Sequence, residues 1–215
     1  MFKVSDTPIK RSWCSCTFPP ISSYSSPKKS RNEFKSPSRS AFQASTLYMN
    51  EKYSDFTFIC ESNGESLKIP VHKCIVGSIS PYFDAMFMGD NVETAEKKVT
   101  ITDFSAQVMK EVFYYIYHGC ISISFGPICY ELVRAADYFQ LDGLRDDCMD
   151  MIKENLANDN LLDSICMAAQ FKRHDIVAKV KRFIELFYTD KAVEELYSDL
   201  IRNHPDTAIY YFSKT

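Results

Sequence analysis

The sequence lacks any long apolar run, which argues against a membrane-spanning protein. In its 215 residues no stretch of about 18 consecutive apolar residues occurs, the length that a membrane-spanning helix needs. The N-terminus also lacks the apolar centre of a secretory signal peptide, because Asp6, Lys10 and Arg11 interrupt it. We therefore expect no membrane span and no secretion, and we expect the eight cysteines to stay reduced.

The cysteines also lack the spacing of a metal site. Only Cys14 and Cys16 lie close together, and no Cys-x-x-Cys pair of a zinc site occurs. His72 and Cys74 bring a histidine beside a cysteine, but side chains two positions apart on a helix do not face each other. No glycine loop that could hold an oxyanion lies nearby. The sequence therefore predicts a non-enzymatic protein with no catalytic, cofactor-binding or metal-binding residue.

The net charge of −3 is small but unevenly distributed. Residues 1–40 contain eight Lys/Arg against Asp6 and Glu33, a net charge of +6 that leaves −9 for the remainder. An acidic body after a basic tail is a poor candidate for binding nucleic acid. Any contact with nucleic acid is therefore expected to be weak and to come from the tail.

The basic tail, residues 1–40, is rich in Ser, Pro and Lys and cannot bury enough apolar surface to offset its chain entropy. It is therefore predicted to be disordered. Two basic Ser-Pro motifs occur in it, at 26–29 and 36–39. They are compatible with a solvated tail, with an arm in the DNA minor groove, with sites for proline-directed kinases, or with a weak nuclear import signal.

From Ala41 onward the periodicity predicts strands mixed with helices, and then helices alone. A short helix ends near Asn50, and a turn at Asn63-Gly64 joins the first two strands. Ser80 and Ser105 precede helices as caps, and Gly119 ends the second of these helices. The predicted strands are 55–60, 67–71, 97–103 and 120–123, and the later predicted helices are 127–138, 141–154, 158–170, 173–188 and 191–203.

Several motifs resemble, in order and spacing, the BTB/POZ domain of speckle-type POZ and kelch-like adaptors. They are YSDFTF (53–58), VHKCIV (71–76), SPYFDAMF (80–87), VTITDFSAQVMKEVFYYIYHG (99–119) and ELVRAADYFQLDGLRDDC (131–148). Residues 156–184 resemble, more loosely, the three-box or the start of a BACK domain. The resemblance implies an α/β (α+β) fold, a small β-sheet flanked by a helical cluster. The predicted regions are a tail (1–40), a BTB/POZ domain (41–154) and a helical three-box/BACK-like extension (155–215).

The resemblance also implies a dimer seam built by the first helix and the hairpin. The alternative is that the first helix buries its apolar face in its own monomer. Asp55 and Lys73, beside His72, resemble a charged pocket near the seam, although a solvated salt bridge is the other interpretation. The dimer-interface residues implied by the resemblance are Phe42, Leu47, Tyr48, Met49, Tyr53 and Phe56.

A second implied surface binds the cullin-3 scaffold of ubiquitin ligases. Glu93 aligns with a glutamate of the family pattern, whereas Asn91 stands where the pattern has an apolar anchor and Val92 is one position away. A missing anchor is expected to weaken binding by about 1.5–3 kcal/mol. The cullin-facing residues implied by the resemblance are Phe87, Met88, Asn91, Val92, Glu93, Tyr138, Phe139 and Phe171.

Three functions remain open from the sequence. The first is a homodimeric BTB protein that acts as, or regulates, a substrate adaptor of a cullin-3 ligase. The second is a transcription or chromatin co-factor whose basic tail touches DNA, and the third is a dimerisation partner that sequesters full-length BTB adaptors. A nuclear or cytoplasmic location is expected for all three. No kelch or MATH-type substrate reader is recognised, so the substrate protein stays unknown.

Overall fold

A computed structural model of the chain describes residues 43–62, 65–89 and 96–213. The basic tail, the turn at Asn63-Gly64 and the predicted site residues Phe42, Asn91, Val92 and Glu93 lie outside the described residues. Within the described part, no helix is both long and apolar enough to cross a membrane.

The sheet has three strands in the order β2-β1-β3. Strand β1 (Phe56–Ser62) pairs antiparallel with β2 (Glu65–Val71) and parallel with β3 (Lys98–Ile101). In β1 the residues Phe56, Phe58 and Cys60 are buried and alternate with half-buried ones, as a strand with one face on the core requires. Strands β2 and β3 are the two edges of the sheet, because β1 lies between them.

Sequence signals mark the start of one helix and the end of another. The Ser80 hydroxyl oxygen accepts the Phe83 N–H at 3.2 Å, and Pro81 is the first helical residue after it. Gly119, with φ of 72°, ends another helix in the left-handed region that glycine adopts most easily. The helices are α1 (Lys73–Ile79), α2 (Pro81–Met88), α3 (Ala106–His118), α4 (Ile128–Tyr138), α5 (Asp142–Glu154), α6 (Leu161–Gln170), α7 (His174–Phe187), α8 (Asp190–Asn203) and α9 (Pro205–Ser213).

An aromatic core joins the sheet to the helices. Phe58, Phe83, Phe113 and Phe139 are among the largest fully buried side chains. The ring centroids of Phe83 and Phe139 lie 4.8 Å apart, as do those of Phe58 and Phe113. These spacings are within the range in which aromatic pairs stabilise a core beyond the burial of their area.

Two of the predicted elements differ in the structure. Residues 120–123 form no strand, since they pair with none of the three strands, and the Ser122 N–H is instead donated to the carboxylate of Glu111 at 3.2 Å. The predicted first helix is a single 3-10 turn, Ala44–Leu47, which we call the N-terminal turn. It is followed by Met49 with a left-handed φ of 55°, which is incompatible with continuing the helix.

Candidate interaction surfaces

The most exposed apolar side chain of α2 is Met88, with 80% of its surface accessible. Tyr138, at the end of α4, is 37% exposed. Its ring lies 5.1 Å from that of Tyr82 and 5.6 Å from that of Phe104, and the Tyr82 hydroxyl donates to the Tyr138 hydroxyl at 3.3 Å. We call Tyr82, Met88, Phe104 and Tyr138 the α2–α4 face.

Phe139, predicted to face a partner, belongs to the core. Only 1% of its surface is accessible, and its ring stacks on Phe83 and contacts Phe104 at 5.5 Å. The prediction that it forms part of an exposed surface is therefore corrected. Tyr82 and Phe104, which support Tyr138, were not predicted as site residues, although the SPYF motif already placed Tyr82 at the start of α2.

The other two predicted cullin-facing residues of the described chain are Phe87 and Phe171. Phe87 is half-buried, and its ring is 5.1 Å from that of Phe56. Phe171 follows α6 and lies 5.8 Å below the guanidinium of Arg145. The same guanidinium lies 3.4 Å from the carboxylate of Asp137, so Arg145 connects Phe171 to the residue that precedes Tyr138.

The N-terminal turn packs on its own domain. The Tyr48 hydroxyl donates to the Lys110 carbonyl at 3.0 Å, and the Tyr48 ring meets the rings of Tyr114 and His118 edge-on. Burial, and secondarily the negative charge of Glu111, raises the pKa of Tyr48 to about 12. Much of the Tyr48 side chain therefore packs against its own monomer.

The remaining predicted seam residues differ in exposure. Leu47 and Met49 are half-buried, and Tyr53 is 77% exposed with the Lys52 ammonium 5.1 Å above its ring. Phe56 is buried in its own core, so the prediction that a partner packs on it is corrected. Alternation along β1 explains this, since Phe56 shares the inner face with Phe58.

Asp55 and Lys73 meet, but not as an ion pair. An Asp55 carboxylate oxygen accepts the backbone N–H of Lys73 at 2.8 Å and so caps the first turn of α1. The Lys73 ammonium instead lies 5.2 Å from the Phe56 ring and 5.5 Å from the Phe87 ring. The predicted charge pair is therefore corrected to a helix cap beside a cation–π contact.

His72 is buried and hydrogen-bonded through both ring nitrogens. Its Nε2 lies 2.8 Å from the Lys52 carbonyl, and its Nδ1 lies 2.8 Å from the Tyr117 hydroxyl. The Tyr117 oxygen also accepts the His72 backbone N–H at 2.9 Å. With the ring proton on Nε2, the ring donates to the Lys52 carbonyl and Nδ1 accepts the proton of the Tyr117 hydroxyl, so both ring nitrogens and the hydroxyl are hydrogen-bonded. These bonds hold the His72 ring against α3 and the segment that precedes β1.

An ion cluster ties α5 to the start of α7. Arg173 donates to the carboxylates of Asp150 and Asp175, and the Lys153 ammonium lies 2.9 Å from Asp175. The hydrogen bonds from Arg173, and then the bond from Lys153, hold the pKa of Asp175 well below its usual range. Because the folded pKa is lowered, the stabilisation by Asp175 is present above about pH 4 and is lost as the pH falls toward the folded pKa.

Replacing Asp175 with asparagine is expected to lower the free energy of unfolding by about 1 kcal/mol at pH 7, a small loss because the carboxylate is partly exposed to solvent. The difference from the unmodified chain should shrink between pH 5 and pH 2. Urea titrations at several pH values measure it. Asp159→Asn is the control, since no ion pair of the exposed Asp159 occurs in the described chain. A difference that does not change with pH contradicts the role of the carboxylate.

Three comparisons relate the chain to known proteins. The family model of the BTB/POZ domain matches residues 45–156. Kelch-like protein 38 of Danio rerio is 27% identical over 159 residues, which cover 74% of this chain and 26% of the relative. Kelch-like protein 3 of Homo sapiens is 28% identical over 136 residues, which cover 63% of this chain and 23% of the relative.

Solved structures of two BTB domains are also similar. That of human gigaxonin is 27% identical with a TM-score of 0.40, and the match covers 55% of this chain and 98% of that one. That of zebrafish PATZ1 is 23% identical with a TM-score of 0.37, and the match covers 48% of this chain and 78% of that one.

The chain spans about a quarter of the length of the kelch-like proteins that it matches. The matched region includes the sheet, the α2–α4 face and the ion-cluster residues of α5. Since the family model covers more than half of the 215 residues, the chain belongs to the BTB/POZ domain family.

Proposed function

We propose that this chain is a non-enzymatic protein-interaction module that acts as a substrate adaptor, or as a regulator of one, in a cullin-3 ubiquitin ligase. The observation that carries the proposal is the α2–α4 face, where Met88 is exposed at the end of α2 and Tyr138 at the end of α4. The sequence similarity to kelch-like proteins supports the same function. In such adaptors this region, with the loop that follows, is the scaffold-binding surface.

The chemistry of the α2–α4 face suits a protein partner. Met88 is unbranched and adapts to an apolar pocket, and Tyr138 offers an apolar ring with a polar edge. Tyr138 is held by Tyr82 and Phe104, so little side-chain freedom remains to be lost when a partner binds. Exposed apolar side chains of this kind mark interaction sites when they lie together.

Met88→Asp is expected to weaken binding to the purified N-terminal domain of cullin-3 by about tenfold or more, because it places a charge in an apolar contact. Asn91→Met is expected to strengthen binding, because it restores an apolar anchor. Calorimetric titration measures both. The control is Ile209→Asp, which changes an exposed apolar residue of α9. If neither the unmodified chain nor Asn91→Met binds, the cullin proposal fails.

We also propose that the chain forms a homodimer, or a heterodimer with another BTB protein, through the N-terminal turn and Tyr53. Tyr53 is strongly exposed and has a left-handed φ of 64°, an uncommon conformation for a bulky residue. Leu47 and Met49 remain only half-buried within one monomer. A second copy would cover this remaining apolar surface.

Light scattering on the full chain is expected to give twice the 24.8 kDa mass of one chain. Tyr53→Asp is expected to yield the monomer, because dimerisation would bury the new charge without a partner. The fold is expected to stay intact, because Tyr53 makes little contact in its own domain. Circular dichroism of Tyr53→Asp checks the fold. An unmodified chain that is monomeric at micromolar concentration contradicts the homodimer.

A further inference from the structure

We propose that a cavity beside the edge strand β2 is a docking groove for an extended segment of a partner protein that carries a single basic side chain. The cavity has a volume of about 770 Å³ and lies between β2, α3 and Tyr48, the residue that follows the N-terminal turn. Its lining includes Tyr48, Ser66, Leu67, Lys110, Glu111 and Tyr114. The proposal is independent of cullin binding, because it concerns another face of the domain.

The first argument is the free edge of the sheet. Strand β2 pairs with β1 on one side, and no strand of the described chain pairs with its other side. An edge strand presents unpaired backbone N–H and C=O groups that an added strand can match. Because Ser66 and Leu67 of this strand line the cavity, a peptide paired with β2 would place alternate side chains in it.

The second argument is the charge inside the cavity. Glu111 is only 7% exposed, and its carboxylate accepts the N–H and the hydroxyl of Ser122. Two carboxylate oxygens can accept about four hydrogen bonds, so capacity remains for a donor from a ligand. A buried carboxylate favours a cation over a neutral group, since the low dielectric strengthens the attraction. Glu111 therefore selects an ammonium or a guanidinium.

The aromatic lining strengthens this preference. The rings of Tyr48 and Tyr114 lie 5.4 Å apart, edge to face, and both line the cavity. A cation near the face of a tyrosine ring is attracted by the quadrupole of the ring. Glu111 contributes to raising the pKa of Tyr48, which indicates that its negative charge is felt in this part of the cavity.

Lys110 restricts the sequence of the ligand. Its side chain is exposed and also lines the cavity, so it adds a positive charge near the opening. A second basic residue in the ligand would be repelled there, whereas a neutral or acidic one would not. The groove therefore fits an extended segment with one lysine or arginine among neutral residues, rather than a polybasic run.

The test uses the full chain and a fluorescent peptide, Thr-Val-Lys-Val-Thr-Val, followed by anisotropy. Two matched peptides replace the lysine with glutamine or with glutamate. A third matched peptide replaces the valine that follows the lysine with proline, which lacks the N–H that strand pairing needs. The lysine peptide is expected to bind at least tenfold more tightly than the glutamine peptide. The glutamate and proline peptides are expected not to bind detectably. Hydrogen exchange should slow, when the lysine peptide is bound, at the one of the Ser66 and Leu67 amides that points away from β1.

Glu111→Gln is the decisive variant, because its amide oxygen can still accept from Ser122. It is expected to bind the lysine and glutamine peptides equally, whereas Asp163→Asn, a distant exposed control, keeps the tenfold preference. If Glu111→Gln does not fold, Tyr114→Leu replaces it and should reduce the preference severalfold. The proposal is overturned if no peptide binds, if the preference survives in Glu111→Gln, or if the peptide binds only by converting a dimer to a monomer.

Discussion

Phe139→Ala is expected to lower the free energy of unfolding by about 3–5 kcal/mol, the usual loss when a fully buried phenylalanine is truncated. The ring of Phe139 stacks on Phe83 and contacts Phe104 and Tyr82, so its removal leaves a cavity bounded by other rings. Phe83 and Tyr82 belong to α2, whereas Phe104 precedes α3, so the three rings cannot all move into the space. Equilibrium unfolding in guanidinium chloride measures the loss.

Tyr138→Ala provides the matched control for Phe139. Tyr138 precedes Phe139 in the chain, but its ring is partly exposed and forms the α2–α4 face. Its truncation is expected to reduce stability by roughly 1 kcal/mol and to weaken cullin-3 binding. Phe139→Ala, measured where it is still folded, is expected to weaken binding less than Tyr138→Ala does, because Phe139 contacts Tyr138 from the core and is itself buried. A loss of stability under about 1 kcal/mol for Phe139→Ala would contradict its place in the core.

The sequence contains the signal that separates these two residues. In α4 the buried positions Leu132 and Ala136 are followed by Phe139 at the spacing of one helix face, whereas Tyr138 falls outside it. The family resemblance grouped Tyr138 with Phe139 as one surface and so obscured this periodicity. The same conflict occurs in β1, where alternation places Phe56 inside although the resemblance placed it at a seam.

Elements predicted from local pattern agree with the structure more closely than contacts predicted from alignment. The five helices predicted after residue 126 begin and end within about three residues of their predicted bounds, because caps and apolar periodicity are local signals, whereas α9 was not predicted. The strand predicted at 120–123 is wrong, because a strand depends on a pairing partner that local pattern does not supply. Local pattern also did not predict the edge of β2 that borders the cavity.

The hydrogen-bond partners of His72 could not be predicted from local sequence pattern. Tyr117 lies 45 residues beyond His72 and on a different element, and Lys52 contributes only its backbone carbonyl. In the sequence, a histidine beside a cysteine resembles a reactive site. In the fold, His72 has the contacts of a core residue. The partners of a buried polar group are set by tertiary packing, so they become visible only when the fold is known.

Tyr117→Phe is expected to reduce the free energy of unfolding by about 2–4 kcal/mol, although it removes a single oxygen atom. The Tyr117 hydroxyl accepts the backbone N–H of His72 and lies against its Nδ1. Without it, a buried donor and a buried acceptor both lose their partner, and each such loss costs about 1–3 kcal/mol. The space left by one oxygen atom is too small for a water molecule to replace the bonds.

Denaturant unfolding of Tyr117→Phe is compared with that of Tyr114→Phe, a half-buried tyrosine on the same helix for which no hydroxyl hydrogen bond occurs in the described chain. Tyr114→Phe is expected to change stability by less than about 0.5 kcal/mol, because a phenol that is near solvent loses little. Hydrogen exchange at the His72 amide should accelerate in Tyr117→Phe alone, since that amide loses its acceptor. Equal losses in the two variants would mean that the Tyr117 hydroxyl does not hold His72, and that β2 and α1 are joined by apolar packing only.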